Sequence, residues 1–192
     1  MSPSETGFSI VGSEVAASTG YLDIERLEIQ APDGSRHERS VVRHPGAVSV
    51  VAVEPSGTRT LLVRQYRASI DRELFEVPAG KRDVDGEPPE VTAARELDEE
   101  VGHRPGRLVK LAEFHNSPGF CDELSHVYLA LDIEPTDGPN PVGPEEIAMT
   151  LEWIDLADVE RLIASRELVD AKSIIGLLLA RRYLAGEFPG LP

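Results

Sequence analysis

The sequence has one cysteine, Cys121, and no long hydrophobic run among its 192 residues. A lone thiol excludes an intrachain disulfide framework and a CxxC zinc or redox site, and we interpret Cys121 as a small apolar filler. The longest apolar run, 174–180, is interrupted by a glycine and is far shorter than the roughly 20 residues that span a bilayer. Because the first residues lack the pattern of a secretory signal, we expect a cytoplasmic protein with no membrane partner.

Basic residues are also scarce, since 19 Lys and Arg stand against 34 Asp and Glu, a formal charge of −15. This negative field argues against nucleic acid as a partner. It is compatible with divalent cations, which carboxylates bind well. The length fits one compact domain with a short arm.

Short β-rich segments separated by Pro/Gly turns dominate the first half, and helical spacing follows. The predicted strands are 21–30, 40–43, 47–54, 60–67, 108–114, 124–131 and 147–154. A helix is predicted over 88–101, and two more over 156–184 with a break near 168–170. Four prolines and two glycines predict a mobile surface loop over 134–145. The fold class is therefore mixed α/β.

The predicted helix carries a cluster of carboxylates. Glu96 lies one turn from both Glu99 and Glu100, so these three side chains share one side of the helix. Two such charges about 4 Å apart repel by roughly 4 kcal/mol at an effective dielectric of about 20, unless a cation lies between them. Hard oxygen ligands of this kind favour Mg²⁺, with Mn²⁺ as the alternative. A solvated acidic helix face would explain the glutamates alone, but not the flanking pattern of glycines and arginine.

That pattern reads GKRDVDGEPPEVTAARELDEEVGH over 80–103. It resembles the box of the Nudix hydrolases, G-x5-E-x7-R-E-U-x-E-E-x-G-U, in which U is a bulky aliphatic residue. The part from Glu87 to Gly102 fits at every specified position. Six residues instead of five follow Gly80, and His103 occupies the last aliphatic position.

The resemblance implies a role for each box residue. Glu96, Glu99, Glu100 and the backbone carbonyl of Ala79 would bind the metal, with Glu99 as a ligand or base. Arg95 would orient the carboxylates. The implied reaction is attack of water on a diphosphate that links a nucleoside to another group.

Segments outside the box resemble the ADP-ribose pyrophosphatase subgroup, which makes ADP-ribose the expected substrate. These segments are VVRHPGAVSVVAV, LLVRQYR, FEVPAG and SPGFCDE. By this resemblance Arg67 approaches the diphosphate, and Glu76, Ser117 and Glu123 contact the substrate or brace the site. A further glutamate on a loop before the last long strand would act as base; we prefer Glu145, and Glu146 is the alternative.

The implied fold is the Nudix α/β/α sandwich, with a mixed sheet and an N-terminal β arm. Residues 1–45 form the arm and 46–192 the Nudix domain. Ile24, Leu27 and Ile29 would give the arm an apolar face, and subgroup members form homodimers through it, so a homodimer is expected.

Two other functions compete with this prediction. The first is hydrolysis of a different nucleoside diphosphate derivative, such as GDP-mannose or CDP-choline. Lys81 and Arg82 depart from the apolar residues expected there, and they indicate either a changed pocket or a solvated loop. The second is a nucleotide sensor without activity, which the complete set of glutamates argues against. His44 and His115 have no paired nucleophile, and a structural or surface role is expected for both.

Overall fold

The computed structural model describes residues 6–140 and 144–192, which divide into two compact units. The first unit contains the N-terminal segment up to Gly46 together with His115–Leu124, and the second contains Ala47–Phe114 and Ser125–Pro192. Because 115–124 joins the first unit, that unit is not a continuous stretch of chain. The assignment of 1–45 as a separate arm with its own function stays a prediction.

The first unit is built on a three-stranded antiparallel sheet in the order β1-β2-β3. Its strands are β1 (Ser9–Ser18), β2 (Asp23–Gln30) and β3 (Arg36–Arg43). The segment 115–124 adds to β3, since Val42 N–H donates to Phe120 O over 2.7 Å and Asp122 N–H donates to Val42 O over 3.2 Å. Leu27 is buried whereas Ile24 is exposed, so the three predicted apolar residues of β2 do not form one face.

The second unit contains a seven-stranded mixed sheet. Its central path runs β12-β5-β4-β10-β9; β6 pairs with β5, β7 pairs with β4, and the β4–β10 pair is parallel. The strands are β4 (Ala47–Val53), β5 (Arg59–Arg67), β6 (Arg72–Glu76), β7 (Ala79–Lys81), β9 (Arg107–His115), β10 (Leu124–Leu131) and β12 (Thr150–Asp155). A separate short ribbon pairs β8 (His103–Arg104) with β11 (Glu134–Pro135).

Among the described residues, four α-helices accompany this sheet: α1 (Pro89–Val101), α2 (Pro144–Ile147), α3 (Val159–Ala164) and α4 (Ala171–Leu184). A 3-10 turn, Leu156–Asp158, precedes α3. No helix among the described residues is long and apolar enough to cross a membrane.

Helices cover both faces of the sheet. Alternate residues of β4 point to opposite faces, so Val50 packs with Leu97 of α1 in one cluster while Val51 packs with Leu177 of α4 in the other. A Cβ at Gly176 would come within 3.0 Å of Val51 and Val127, so α4 approaches the sheet more closely than a side chain there would allow. The predicted α/β/α sandwich with a mixed sheet is confirmed.

Several predicted elements differ from the observed ones. The predictions missed β1, β6 and the short strands β7, β8 and β11, and the strand predicted over 147–154 begins only at Thr150 because Pro144–Ile147 is helical. The start of the predicted mobile loop is fixed to the end of α1, since Thr136 N–H donates to Gly102 O over 2.8 Å and Asn140 N–H donates to Glu99 O over 2.8 Å. Residues 141–143 of that loop lie outside the described residues.

Candidate active site

Helix α1 carries the candidate site beside its apolar stripe. Leu97 and Val101 are buried in the core below the helix. The helix ends at Gly102, whose φ of +64° favours glycine and whose N–H closes the last turn on Asp98 O. The fixed ends and the buried stripe determine which way the glutamates face.

Two of these glutamates contact the backbone of β7. Glu100 Oε2 accepts a hydrogen bond from Ala79 N–H over 2.9 Å. Glu96 lies directly over Gly80, because a Cβ on residue 80 would be well under 3.0 Å from the Glu96 carboxylate. The box glycine therefore makes room for a box glutamate.

The pKa values of both carboxyl groups are shifted well above their usual range. The pKa of Glu100 is raised to about 8, chiefly by burial and also by the charges of Glu96 and Glu146, against the opposing hydrogen bond from Ala79. Burial also raises the pKa of Glu96 to about 7; Arg95 opposes this shift and Glu99 adds to it. These are buried carboxyl groups whose ionised form is disfavoured, a typical feature of a functional site.

Arg95 lies at the centre of the acidic cluster. Its Nη1 is 2.9 Å from Glu96 Oε1 and 3.0 Å from Glu99 Oε2, and its Nη2 is 3.4 Å from Glu87 Oε2. Asp83 is more distant, at 3.7 Å. One guanidinium therefore sets the positions of three box carboxylates.

The predicted ligands are close together but not gathered around one point. Within residues 6–140 and 144–192, no group of three His, Cys, Asp or Glu side chains is arranged to hold a metal ion. The reason is visible in the contacts, since Arg95 holds Glu96 and Glu99 while the Ala79 amide holds Glu100. The donor set nevertheless fits a divalent cation, because it consists of hard oxygens with two buried carboxyl groups beside the Ala79–Gly80 backbone.

Arg67 pairs with the buried Glu76 in the same unit. Arg67 Nε and Nη2 donate to the two oxygens of Glu76, each over 2.6 Å. The charge of Arg67 lowers the pKa of Glu100, which places the arginine within electrostatic reach of the acidic cluster. Glu76 braces Arg67 here.

The two loop glutamates differ in their surroundings. Glu145 is exposed, whereas Glu146 is half-buried and its charge raises the pKa of Glu100. The structure thus brings Glu146 toward the box carboxylates and leaves Glu145 in solvent.

Ser117 and Glu123 belong to the first unit, and their contacts are described within it. Ser117 O accepts hydrogen bonds from Phe120 N–H over 3.0 Å and Cys121 N–H over 2.9 Å, which closes a turn. Both Ser117 and Glu123 are half-buried. Their predicted contact with the substrate stays a prediction.

Comparison with known proteins agrees with this geometry. The NUDIX domain model matches residues 43–175. The chain belongs to the Nudix family.

Two Nudix relatives share most of its length. It is 37% identical over 163 residues to the ADP-ribose pyrophosphatase of Bacillus subtilis, covering 85% of this chain and 86% of the relative. It is also 37% identical over 182 residues to the ADP-ribose pyrophosphatase of Mycobacterium tuberculosis, covering 95% and 87%. The crystal structure of an ADP compounds hydrolase has the same fold, with a TM-score of 0.81, 23% identity, and coverage of 94% of this chain and 95% of that one.

The departures from the Nudix box have structural explanations. His103 is half-buried; its Nδ1 lies 2.8 Å from Val101 O, and its ring packs edge-on against Trp153. Arg82 is half-buried and its Nη2 donates to Glu87 O over 3.3 Å, so it braces the longer loop instead of lying free in solvent.

No sequence pattern indicated a role for Lys172, Asp170 and Ser173 at the start of α4. Lys172 forms an ion pair with Glu76, and Asp170 Oδ2 is 3.0 Å from Lys172 Nζ. In a Nudix chain these residues lie far from the box in sequence, and only the fold brings them to Glu76.

Proposed function

We propose that this protein hydrolyses the pyrophosphate bond of ADP-ribose, with Mg²⁺ as its metal, to give AMP and ribose 5-phosphate. The observation that carries the proposal is the contact of Glu96 and Glu100 with the Ala79–Gly80 backbone. The 37% identity to two ADP-ribose pyrophosphatases over most of the chain supports the choice of substrate.

The metal would be held by Glu96, Glu100 and the carbonyl oxygen of Ala79, with Glu99 as a further ligand. When bound, it would neutralise charge on the phosphate oxygens and lower the pKa of the attacking water. Arg95 keeps the carboxylates in position before binding, since its guanidinium already contacts Glu96 and Glu99.

The remaining roles follow from position and charge. Arg67 has a planar fork that matches phosphate oxygens, and its side chain is 38% exposed, so it can reach a diphosphate. Glu146 is favoured as the general base over Glu145, because it is the half-buried one and its charge acts on Glu100.

We also propose that the protein is a homodimer that pairs through the N-terminal sheet. Large apolar side chains of this sheet are exposed, among them Ile10, Val11, Val15 and Ile24. Large apolar side chains exposed together on one sheet are typical of an interface. A monomeric mass from light scattering would contradict this assignment.

The decisive experiment is product analysis of ADP-ribose incubated with the protein and Mg²⁺, with E100Q as the control. GDP-mannose and CDP-choline should be assayed in parallel. We expect release of AMP and ribose 5-phosphate, lost in E100Q. If the protein hydrolysed another of these compounds but not ADP-ribose, the proposed metal site would stand and ADP-ribose would be rejected as the substrate. Tight binding of a nucleotide without turnover would instead support a sensor.

A further inference from the structure

Glu76 is a buried carboxylate that lies between two cations. It ends β6 and is 1% exposed. On one side the fork of Arg67 donates two hydrogen bonds to it, and on the other side Lys172 Nζ donates one. Burial raises the pKa of Glu76, but these two cations outweigh burial and hold the pKa below its usual value, so the group is an anion.

The two cations differ in their access to solvent. The side chain of Arg67 is 38% exposed, whereas that of Lys172 is only 14% exposed. An anion arriving from solvent therefore meets Arg67 first, and Lys172 is the inner partner of Glu76.

Lys172 is held in place by the start of α4. Its Nζ lies 3.0 Å from Asp170 Oδ2, and Asp170 also caps the helix by accepting from Ser173 N–H over 3.0 Å. Ser173 Oγ in turn accepts from Val77 N–H over 2.9 Å, next to Glu76 in the chain. Lys172 is thus fixed relative to Glu76, whereas among the described residues the Arg67 side chain hydrogen-bonds to Glu76 alone and keeps an open side.

We infer that Lys172 is a positioning residue that keeps Glu76 neutralised when Arg67 turns its guanidinium to the phosphate groups of the substrate. Without Lys172, a move of Arg67 toward the substrate would leave a buried carboxylate unpaired, which is strongly unfavourable. Arg67 would then stay on Glu76. The inference rests on the proposed function in one respect, which is that the substrate carries a diphosphate.

A purely structural role for Lys172 predicts a different outcome. If Lys172 only fixed α4 to β6, its loss would lower the melting temperature and kcat, and neutralising Glu76 would give no rescue. If Lys172 compensates charge, its loss weakens binding of the anion, and removing the charge of Glu76 restores that binding.

The test uses four variants of the full chain. K172Q removes the charge but keeps a hydrogen-bond donor, K172R keeps the charge, and E76Q/K172Q removes both charges. K110Q is the matched control, since Lys110 lies on β9 and pairs with Glu113. The measurements are KM and kcat for ADP-ribose with Mg²⁺, the Kd for inorganic pyrophosphate by calorimetry, and the melting temperature.

We expect K172Q to raise KM and the pyrophosphate Kd about tenfold, with kcat within about threefold of the parent. K172R and K110Q should stay within about threefold of the parent in both constants, and E76Q/K172Q should bind pyrophosphate at least about threefold more tightly than K172Q. If K172Q does not fold, K172M replaces it with the same expectation.

Equal pyrophosphate affinity in K172Q and the parent protein, including no measurable binding in either, would overturn the inference. So would an E76Q/K172Q variant as weak as K172Q. If the parent protein binds pyrophosphate but does not cleave ADP-ribose, only the proposed substrate is wrong. The inference on Lys172 can still be tested, because the pyrophosphate measurement does not depend on turnover.

Discussion

The carboxylate of Glu96 occupies the space where a side chain on residue 80 would begin. A Cβ at Gly80 would be well under 3.0 Å from Glu96 Cδ, a distance that real Cβ atoms essentially never show. The glycine is therefore required by close packing against a candidate metal ligand and not by backbone conformation.

Gly80→Ala tests this contact. The added methyl group displaces Glu96, and a ligand moved by about 1 Å is expected to lower kcat roughly 100-fold. Gly12→Ala is the matched control, since its Cβ would meet Glu28 at an ordinary 3.5 Å. Steady-state kinetics and melting temperature should be measured for both. An active Gly80→Ala enzyme would show that Glu96 does not need its present position.

Arg95→Lys tests the central guanidinium. Lysine keeps the charge but cannot contact Glu87, Glu96 and Glu99 together, so we expect kcat to fall about 10- to 100-fold with little change in fold stability. Arg104→Lys serves as the control because it alters an exposed arginine that pairs with Asp98 of the same helix. Equal activity of the two variants would contradict an orienting role for Arg95.

The Nudix box could be predicted from sequence because its residues lie close together along the chain. The spacing of Glu96, Glu99 and Glu100 fixes their side of α1 once the helix is assigned, and the helix has clear ends. Strands β4 and β10 could be predicted equally well, because largely apolar runs of that length indicate buried strands.

The missed features depend on what the fold places beside each residue and not on the local sequence pattern. β6 is five residues with three charges, and it is a strand because it pairs with β5. Lys172 follows Glu76 by 96 residues, so no spacing rule connects them. The same limit applies to Glu145 and Glu146, which are adjacent in sequence and differ only in what the folded chain places around them.

These two loop glutamates provide a prediction with a built-in control. Glu146→Gln should lower kcat by about 100-fold or more if Glu146 is the general base, while Glu145→Gln should change it less than about threefold. Both substitutions remove one charge from the same short helix, so the difference reports position alone. The measurement is kcat at saturating ADP-ribose and Mg²⁺. A larger loss in Glu145→Gln would restore the assignment made from sequence.

The raised pKa values of Glu96 and Glu100 predict how stability depends on pH without metal. The folded protein binds protons more tightly than the unfolded chain at these two sites, with pKa values of about 7 and about 8 against 4.5. Their stabilisation is therefore complete below about pH 4.5 and is lost as the pH rises through about 8. For the buried Glu100 the loss is on the order of a few kcal/mol.

Mg²⁺ should reverse this loss, since a cation favours the ionised carboxylates. Melting temperatures measured from about pH 5 to about pH 9, in EDTA and in MgCl₂, should diverge as the pH rises. Glu100→Gln should flatten the EDTA curve, whereas Glu73→Gln, at an exposed position with the same change in net charge, should not. If Mg²⁺ raised the melting temperature equally at about pH 5 and at about pH 9, these carboxylates would not form the metal site. The reason is that ionisation of Glu96 and Glu100 is what links metal affinity to pH in this range.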